Sequence, residues 1–434
     1  MFFSPSPRLP LSLSFFLLAS FVIAADFPAP EKLSPNPNLP DPLVMLDGTK
    51  VTSQEIWATK RKPELKALFQ HYMYGRIPPA PRELVAKELF VDPAALGGKA
   101  TLREYQLGFV GPDGKTLQHQ QLVLVVTPSG KKNVPLFVGM NFCGNHTVLD
   151  DPRIQLPTGW VRNSCAGAKD ERATDEGRGS QKDTWNVDLI LDRGYGLATF
   201  YSGDIDPDTA DFSDGIAPQF FQSGTATPAG DDPATIACWA WGYSRVVDCL
   251  ARHEGQNVDL DRLIAVGHSR NGKTALLAGA MDDRFAIVIP HQAGCGGTSP
   301  CRNHNPKAET VQRINTSFPH WFCPNFKAFN EHTERLPFDQ HCLIALCAPR
   351  PVLLCNAIED QWANPDGQFQ MLAAATPVYQ LLGVPGLDPA AKPEIGKLTT
   401  SRLGYFLRAG KHSMSRPDWV AYLDFADAQW KSMK

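Results

Sequence analysis

The chain has 434 residues with a formal net charge of −3 at pH 7 and a sequence pI near 6.4. It therefore carries no basic field that would draw nucleic acid or an anionic membrane surface. Its 43% hydrophobic content excludes general disorder and is enough for one large domain or two smaller ones.

The chain opens on a weakly basic start at Arg8, followed by the apolar run "LSLSFFLLASFVIA" and two small residues, Ala24 and Ala25. That is the pattern of a secretory signal over 1–25, cleaved on export to the periplasm or the medium. The run is short for a membrane anchor, and no cysteine marks a lipidation point. Ten cysteines in an exported chain can form bridges but are too dilute for a disulfide scaffold. Cys295, Cys301 and His304 lie close in sequence, yet their spacing fits no zinc pattern, and a disulfide or buried thiols suit them better.

Residues 26–45 are proline-rich and read as extended. A helix is predicted over 53–76, stopped by the proline pair of "HYMYGRIPP". "TLREYQLGFV" and "LQHQQLVLVVTP" predict a hairpin around "GPDGK". From residue 134 onwards, "VPLFVGMNF", "YGLATFYSGD", "RLIAVG", "FAIVIP", "PVLLCNA" and "RLGYFLR" are short apolar runs suited to strands buried on both faces. Helical segments are predicted over 233–253, 272–281, 367–383 and 418–433. The alternation implies α/β architecture, a doubly wound and mostly parallel sheet in a three-layer sandwich. One domain over 26–434 accounts for it, with long loops at 144–190 and 291–340 where a substrate site would be elaborated.

"VGHSRNGK" nearly matches G-x-S-x-G, the nucleophile elbow of the α/β-hydrolase fold. It has the required context, a buried strand before Ser269 and a helix after it. Asn271 stands where the motif has glycine, and it is expected to take the tight backbone position. The helix N-terminus offers N–H groups and a positive dipole end to a developing oxyanion. The fold then requires an acid and a histidine downstream. His412, between a late strand and the C-terminal helix, fits the general base. The acid falls in "IEDQWANP", with Asp360 first and Glu359 second.

The ordered set "MNFCGNHT", "FYSGDIDPD", "GHSRNGK", "IPHQAGCGG", "ETVQRIN", "FPHWFC", "EDQWANP" and "GKHSMSRPDW" resembles the glucuronoyl esterases of carbohydrate esterase family 15, the bacterial branch above all. The resemblance implies a serine esterase that cleaves esters between lignin alcohols and the 4-O-methyl-glucuronic acid of glucuronoxylan, with no metal or diffusible cofactor; the chain is expected to act as a monomer. It casts Arg270 as an oxyanion donor, Lys273 and Glu309 as contacts to the sugar, and Trp362 as a contact to the uronate ring. A lysine, a carboxylate and an indole N–H suit the hydroxyls of such a ring. Fungal members carry their acid where this chain has Gln292, which cannot supply a charge and leaves Asp360 as the acid. They also bridge a cysteine before the serine to one beside the histidine. Here those places hold His268 and Ser413, and His268 is expected to point away from the serine's face. Two other functions share these residues: an acetyl-xylan or other carboxylic esterase, and a glycan-binding relative without catalysis.

Overall fold

The computed structural model describes residues 27–432 except 223, 225, 254–256 and 389. The expected signal at 1–25 lies outside the described residues. The strands, in chain order, are β1 (Glu83–Ala95), β2 (Ala100–Val110), β3 (Gln121–Pro128), β4 (Val134–Asn141), β5 (Gly196–Tyr201), β6 (Val258–His268), β7 (Phe285–His291), β8 (Val352–Ala357), β9 (Leu398–Thr399) and β10 (Leu403–Arg408). They pair into one sheet in the order β1-β2-β3-β5-β4-β6-β7-β8-β10-β9. From β5 through β10 every pairing is parallel, while β1, β2 and β3 add an antiparallel wing and β9 an antiparallel edge.

Strand position follows from apolar content. Every residue of β4, β5, β8 and β10 is buried, as expected for strands covered on both faces. One apolar core on the first face packs Trp239, Tyr243, Leu276 and Leu343 from helices against the sheet. A second core on the opposite face holds Ile190, Trp419, Tyr422 and Phe425. These are the two outer interfaces of a three-layer α/β sandwich. The predicted hairpin is β2–β3, with Ala100 opposite Pro128 and Leu107 opposite Gln121.

Several elements differ from expectation. The first helical run ends at Tyr74, before the prolines, because Gly75 turns to φ +79°. A Cβ there would stand 2.1 Å from the Asp232 carbonyl oxygen, so the stop is a close backbone approach. The helix expected over 367–383 is two, Pro365–Ala374 and Thr376–Leu381, since Pro377 cannot continue the hydrogen-bond ladder. Cys295 and Cys301 are free buried thiols, and the disulfide among the described residues joins Cys143 to Cys165 inside the first long loop. No described helix is long and apolar enough to cross a membrane.

The parallel strands aim their C-terminal ends at one rim of the sheet. β6, β7, β8 and β10 deliver Ser269, Gln292, Asp360 and His412 to that rim, each within four residues of a strand end, and Asp208 follows the end of β5 by seven.

Candidate active site

β6 ends at His268 and the helix Arg270–Met281 begins one residue later, so Ser269 alone makes the turn. Its backbone takes φ 60° and ψ −125°, a conformation that L-residues hold only when their surroundings enforce it. Two glycines do so. A Cβ on Gly267 would lie 2.1 Å from the Asn271 carbonyl oxygen, and one on Gly272 2.7 Å from that of His291. The expectation for Asn271 is therefore corrected. It is helical, with its Nδ2 donating to the Met140 carbonyl at 2.7 Å. The left-handed φ belongs to Ser269 itself.

His412 lies in the loop after β10, and its Nδ1 donates to Asp360 Oδ2 at 2.6 Å. The Asp360 side chain is buried, whereas that of His412 is 40% exposed. With the proton on Nδ1 committed to that bond, Nε2 is left as the acceptor. Glu359 is exposed and engages this loop only through its backbone N–H, bonded to Gly410.

Gln292, at the place where fungal relatives carry an acid, serves a different purpose. Its Oε1 accepts from the Ser413 backbone N–H at 3.0 Å and from His268 Nε2 at 2.9 Å. His268 does not line the cleft with Ser269, and its ring packs 4.5 Å from that of His412. Burial, then the neighbouring His291 and His412, hold His268 well below the usual imidazole range, so it stays neutral and donates to Gln292. Behind them Arg408 Nε donates to both carboxylate oxygens of Asp418, at 2.8 and 2.9 Å, and Nη2 donates to the Ser413 carbonyl at 2.7 Å. The histidine loop is thus fixed from two sides.

An open cleft of about 360 Å³ is lined by all seven residues singled out in the sequence: Ser269, Arg270, Lys273, Glu309, Asp360, Trp362 and His412. On one flank Lys273 Nζ donates to the carbonyls of Ala293 and Cys295 at 2.6 and 2.5 Å and stands 3.7 Å from Glu309. An ammonium has three donors, so one remains for Glu309 or a bound hydroxyl. Burial lowers the Lys273 pKa and raises that of Glu309, with their mutual attraction opposing both shifts. Trp362 is 41% exposed at the rim, and the Arg313 guanidinium covers its ring at 4.5 Å.

The other flank is aromatic. Phe318 and Trp321 stack with centroids 3.7 Å apart, and the Arg270 guanidinium lies 4.6 Å from the Trp321 centroid. Arg270 Nη1 is paired with Asp208. Sequence reasoning gave no role to Asp208, Phe318 or Trp321, although the strings "FYSGDIDPD" and "FPHWFC" contain them. Nothing in those strings shows that they meet.

The fungal glucuronyl esterase family model matches residues 189–383. The carbohydrate esterase MZ0003, from an unknown prokaryotic organism, is 43% identical over 394 residues, covering 91% of this chain and 90% of that protein. A solved promiscuous CE15 esterase from a marine bacterial metagenome superposes with a TM-score of 0.83 at 42% identity, over 92% of this chain and 98% of the other. The glucuronoyl esterase of Solibacter usitatus superposes with a TM-score of 0.82 at 37% identity, over 92% of this chain and 100% of the other. On these likenesses, over nearly the whole described chain, it belongs to the glucuronoyl esterases of carbohydrate esterase family 15.

Proposed function

We propose that the chain is an exported serine esterase that hydrolyses the ester between a 4-O-methyl-glucuronic acid of glucuronoxylan and a lignin alcohol. The observation that carries this reading is the 2.6 Å bond from His412 to Asp360 in the cleft that Ser269 lines from its strained turn. Ser269 Oγ attacks the uronate carbonyl carbon while His412 Nε2 takes its proton. The oxyanion forms beside Arg270 and the N-terminus of the helix Arg270–Met281, where donors and dipole already point. His412 then returns the proton to the alcohol oxygen, the C–O bond breaks and the acyl-enzyme remains. A water, deprotonated by His412, adds to that carbonyl, and Ser269 leaves with the proton as the free uronic acid departs. Lys273, Glu309 and Trp362 hold the sugar ring by its hydroxyls.

Ser269→Ala should lower hydrolysis of a methyl glucuronate ester by at least about 10³-fold with the fold intact by circular dichroism. Retention of most activity would refute the assignment. A second reading has specific support, since one solved relative is described as a promiscuous esterase and this cleft is open. Acetylated xylan assayed beside the glucuronate ester separates the two: comparable kcat/KM values would favour a general carboxylic esterase. Failure of a serine-directed phosphonate to label the folded protein would instead favour a glycan binder.

A further inference from the structure

We infer that Asp208 is a positioning residue for this reaction: it holds the Arg270 guanidinium at the oxyanion site and couples it to the loop closed by the Cys143–Cys165 disulfide. This rests on the reading of Arg270 as an oxyanion donor. Asp208 follows β5, and its side chain is 7% exposed. Its Oδ2 accepts from Arg270 Nη1 and from Arg162 Nη2. Its Oδ1 accepts from His320 Nε2 at 3.0 Å and Trp321 Nε1 at 2.8 Å. Three separate segments of chain converge on one carboxylate.

The arrangement fixes both degrees of freedom that matter for Arg270. Pairing at Nη1 pins one corner of the planar guanidinium. Stacking against Trp321, itself anchored by Asp208, sets the plane. Nε is left buried without a protein partner. An arginine free to rotate would have to be ordered as the oxyanion forms, whereas a preordered one needs no reorganisation at that moment.

Charge explains the second arginine. Asp208 with Arg270 alone would be a neutral pair and a poor anion site. Arg162 restores one net positive charge to the cluster, and the carboxylate between the two guanidiniums removes their repulsion. Burial pushes the Asp208 carboxyl up. Its hydrogen bond from His320, the Arg270 charge, the Trp321 bond and the Arg162 charge outweigh that and hold it well below the usual carboxylate range. The tether therefore stays charged wherever the enzyme is folded and active. Arg162 sits between Cys143 and Cys165 in sequence, so the disulfide-closed loop reaches the reacting centre through Asp208.

The test is steady-state kinetics on a methyl glucuronate ester with Asp208→Asn, Asp208→Glu, Arg270→Ala and the double variant Asp208→Asn/Arg270→Ala, each checked for melting temperature. Asp208→Asn should lower kcat by about 10- to 100-fold with KM changed by less than about threefold. Asp208→Glu should recover part of the loss. In the Arg270→Ala background, Asp208→Asn should change kcat by less than about threefold, because the group it positions is gone. An intact kcat in Arg270→Ala refutes the oxyanion reading, and this proposal with it. A collapsed Arg270→Ala beside an unaffected Asp208→Asn, or losses that multiply in the double variant, refutes the positioning role alone. Should Asp208→Asn not fold, Arg162→Gln carries the test: a kcat loss of about three- to tenfold supports the proposal, and no change overturns it.

Discussion

At the scale of single residues, the division of labour between Asp360 and Gln292 decides how His412 works. Asp360 holds Nδ1 at 2.6 Å, and in the proposed mechanism it fixes the tautomer and stabilises the imidazolium that forms on attack. Gln292 instead fixes the Ser413 backbone and the neutral His268 beside the ring. Asp360→Asn should therefore lower kcat by about 10³- to 10⁴-fold, as loss of a triad acid does elsewhere. Gln292→Ala should cost far less, roughly tenfold, through loosening of the loop. Glu359→Gln, on an exposed side chain, should stay within about twofold. Comparable losses at 360 and 292 would reverse the assignment. The meeting of Ser269, Asp360 and His412 in one cleft was legible because the proposed chemistry imposes an order along the chain: an elbow serine, then an acid, then a histidine. The supports were not. Asp208 meets its partners across sequence separations of 46 to 113 residues, and no local pattern records such a meeting.

At the scale of elements, the elbow joins sequence, strain and chemistry. Gly267 and Gly272 let the helix Arg270–Met281 start almost on top of β6, and Ser269 takes up the resulting positive φ. Such a backbone costs a non-glycine residue about 1–3 kcal/mol. Ser269→Gly should relieve that strain and Ser269→Ala should not, although both remove the proposed nucleophile. Thermal denaturation should place the glycine variant above the alanine variant by about 1 kcal/mol, after the entropy that glycine adds to the unfolded chain. Equal or reversed melting temperatures would mean that the turn holds no strain. The parallel strands were readable as apolar runs because both of their faces are buried. β1 was not readable: as the edge strand it alternates irregularly between exposed and buried, bends at register shifts and contains Pro93. Its place is set by β2, not by its own pattern.

At the scale of the whole molecule, the antiparallel wing β1–β3 is joined to the catalytic parallel sheet through β5, and near the junction two buried acids, Glu104 and Asp204, form no ion pair among the described residues. Glu104, on β2, accepts from the Gln155 backbone N–H at 2.9 Å through Oε2, while its Oε1 is buried with no partner. Burial pushes its carboxyl up to about 7 against the opposing bond from Gln155. Burial does the same to Asp204, just after β5, which also lies at about 7. For both groups the folded-state value exceeds the unfolded one. The folded chain therefore keeps protons that the unfolded chain has released, between about pH 4.5 and 7 for Glu104 and between about 3.8 and 7 for Asp204. Their contribution to stability is complete below these windows and is lost as the pH rises through them. Glu104→Gln keeps an acceptor for Gln155 and removes the titration. At pH 5 the variant and the parent should differ by no more than about 1 kcal/mol, both carrying a neutral side chain. At pH 8 the variant should be the more stable, by up to roughly 3 kcal/mol, the size of a shift of this extent. Denaturant titration at the two pH values measures the gap directly. A gap that does not widen with pH would mean that water or structural relaxation solvates Glu104, and that the junction of wing and catalytic sheet is not the dry interface its burial describes.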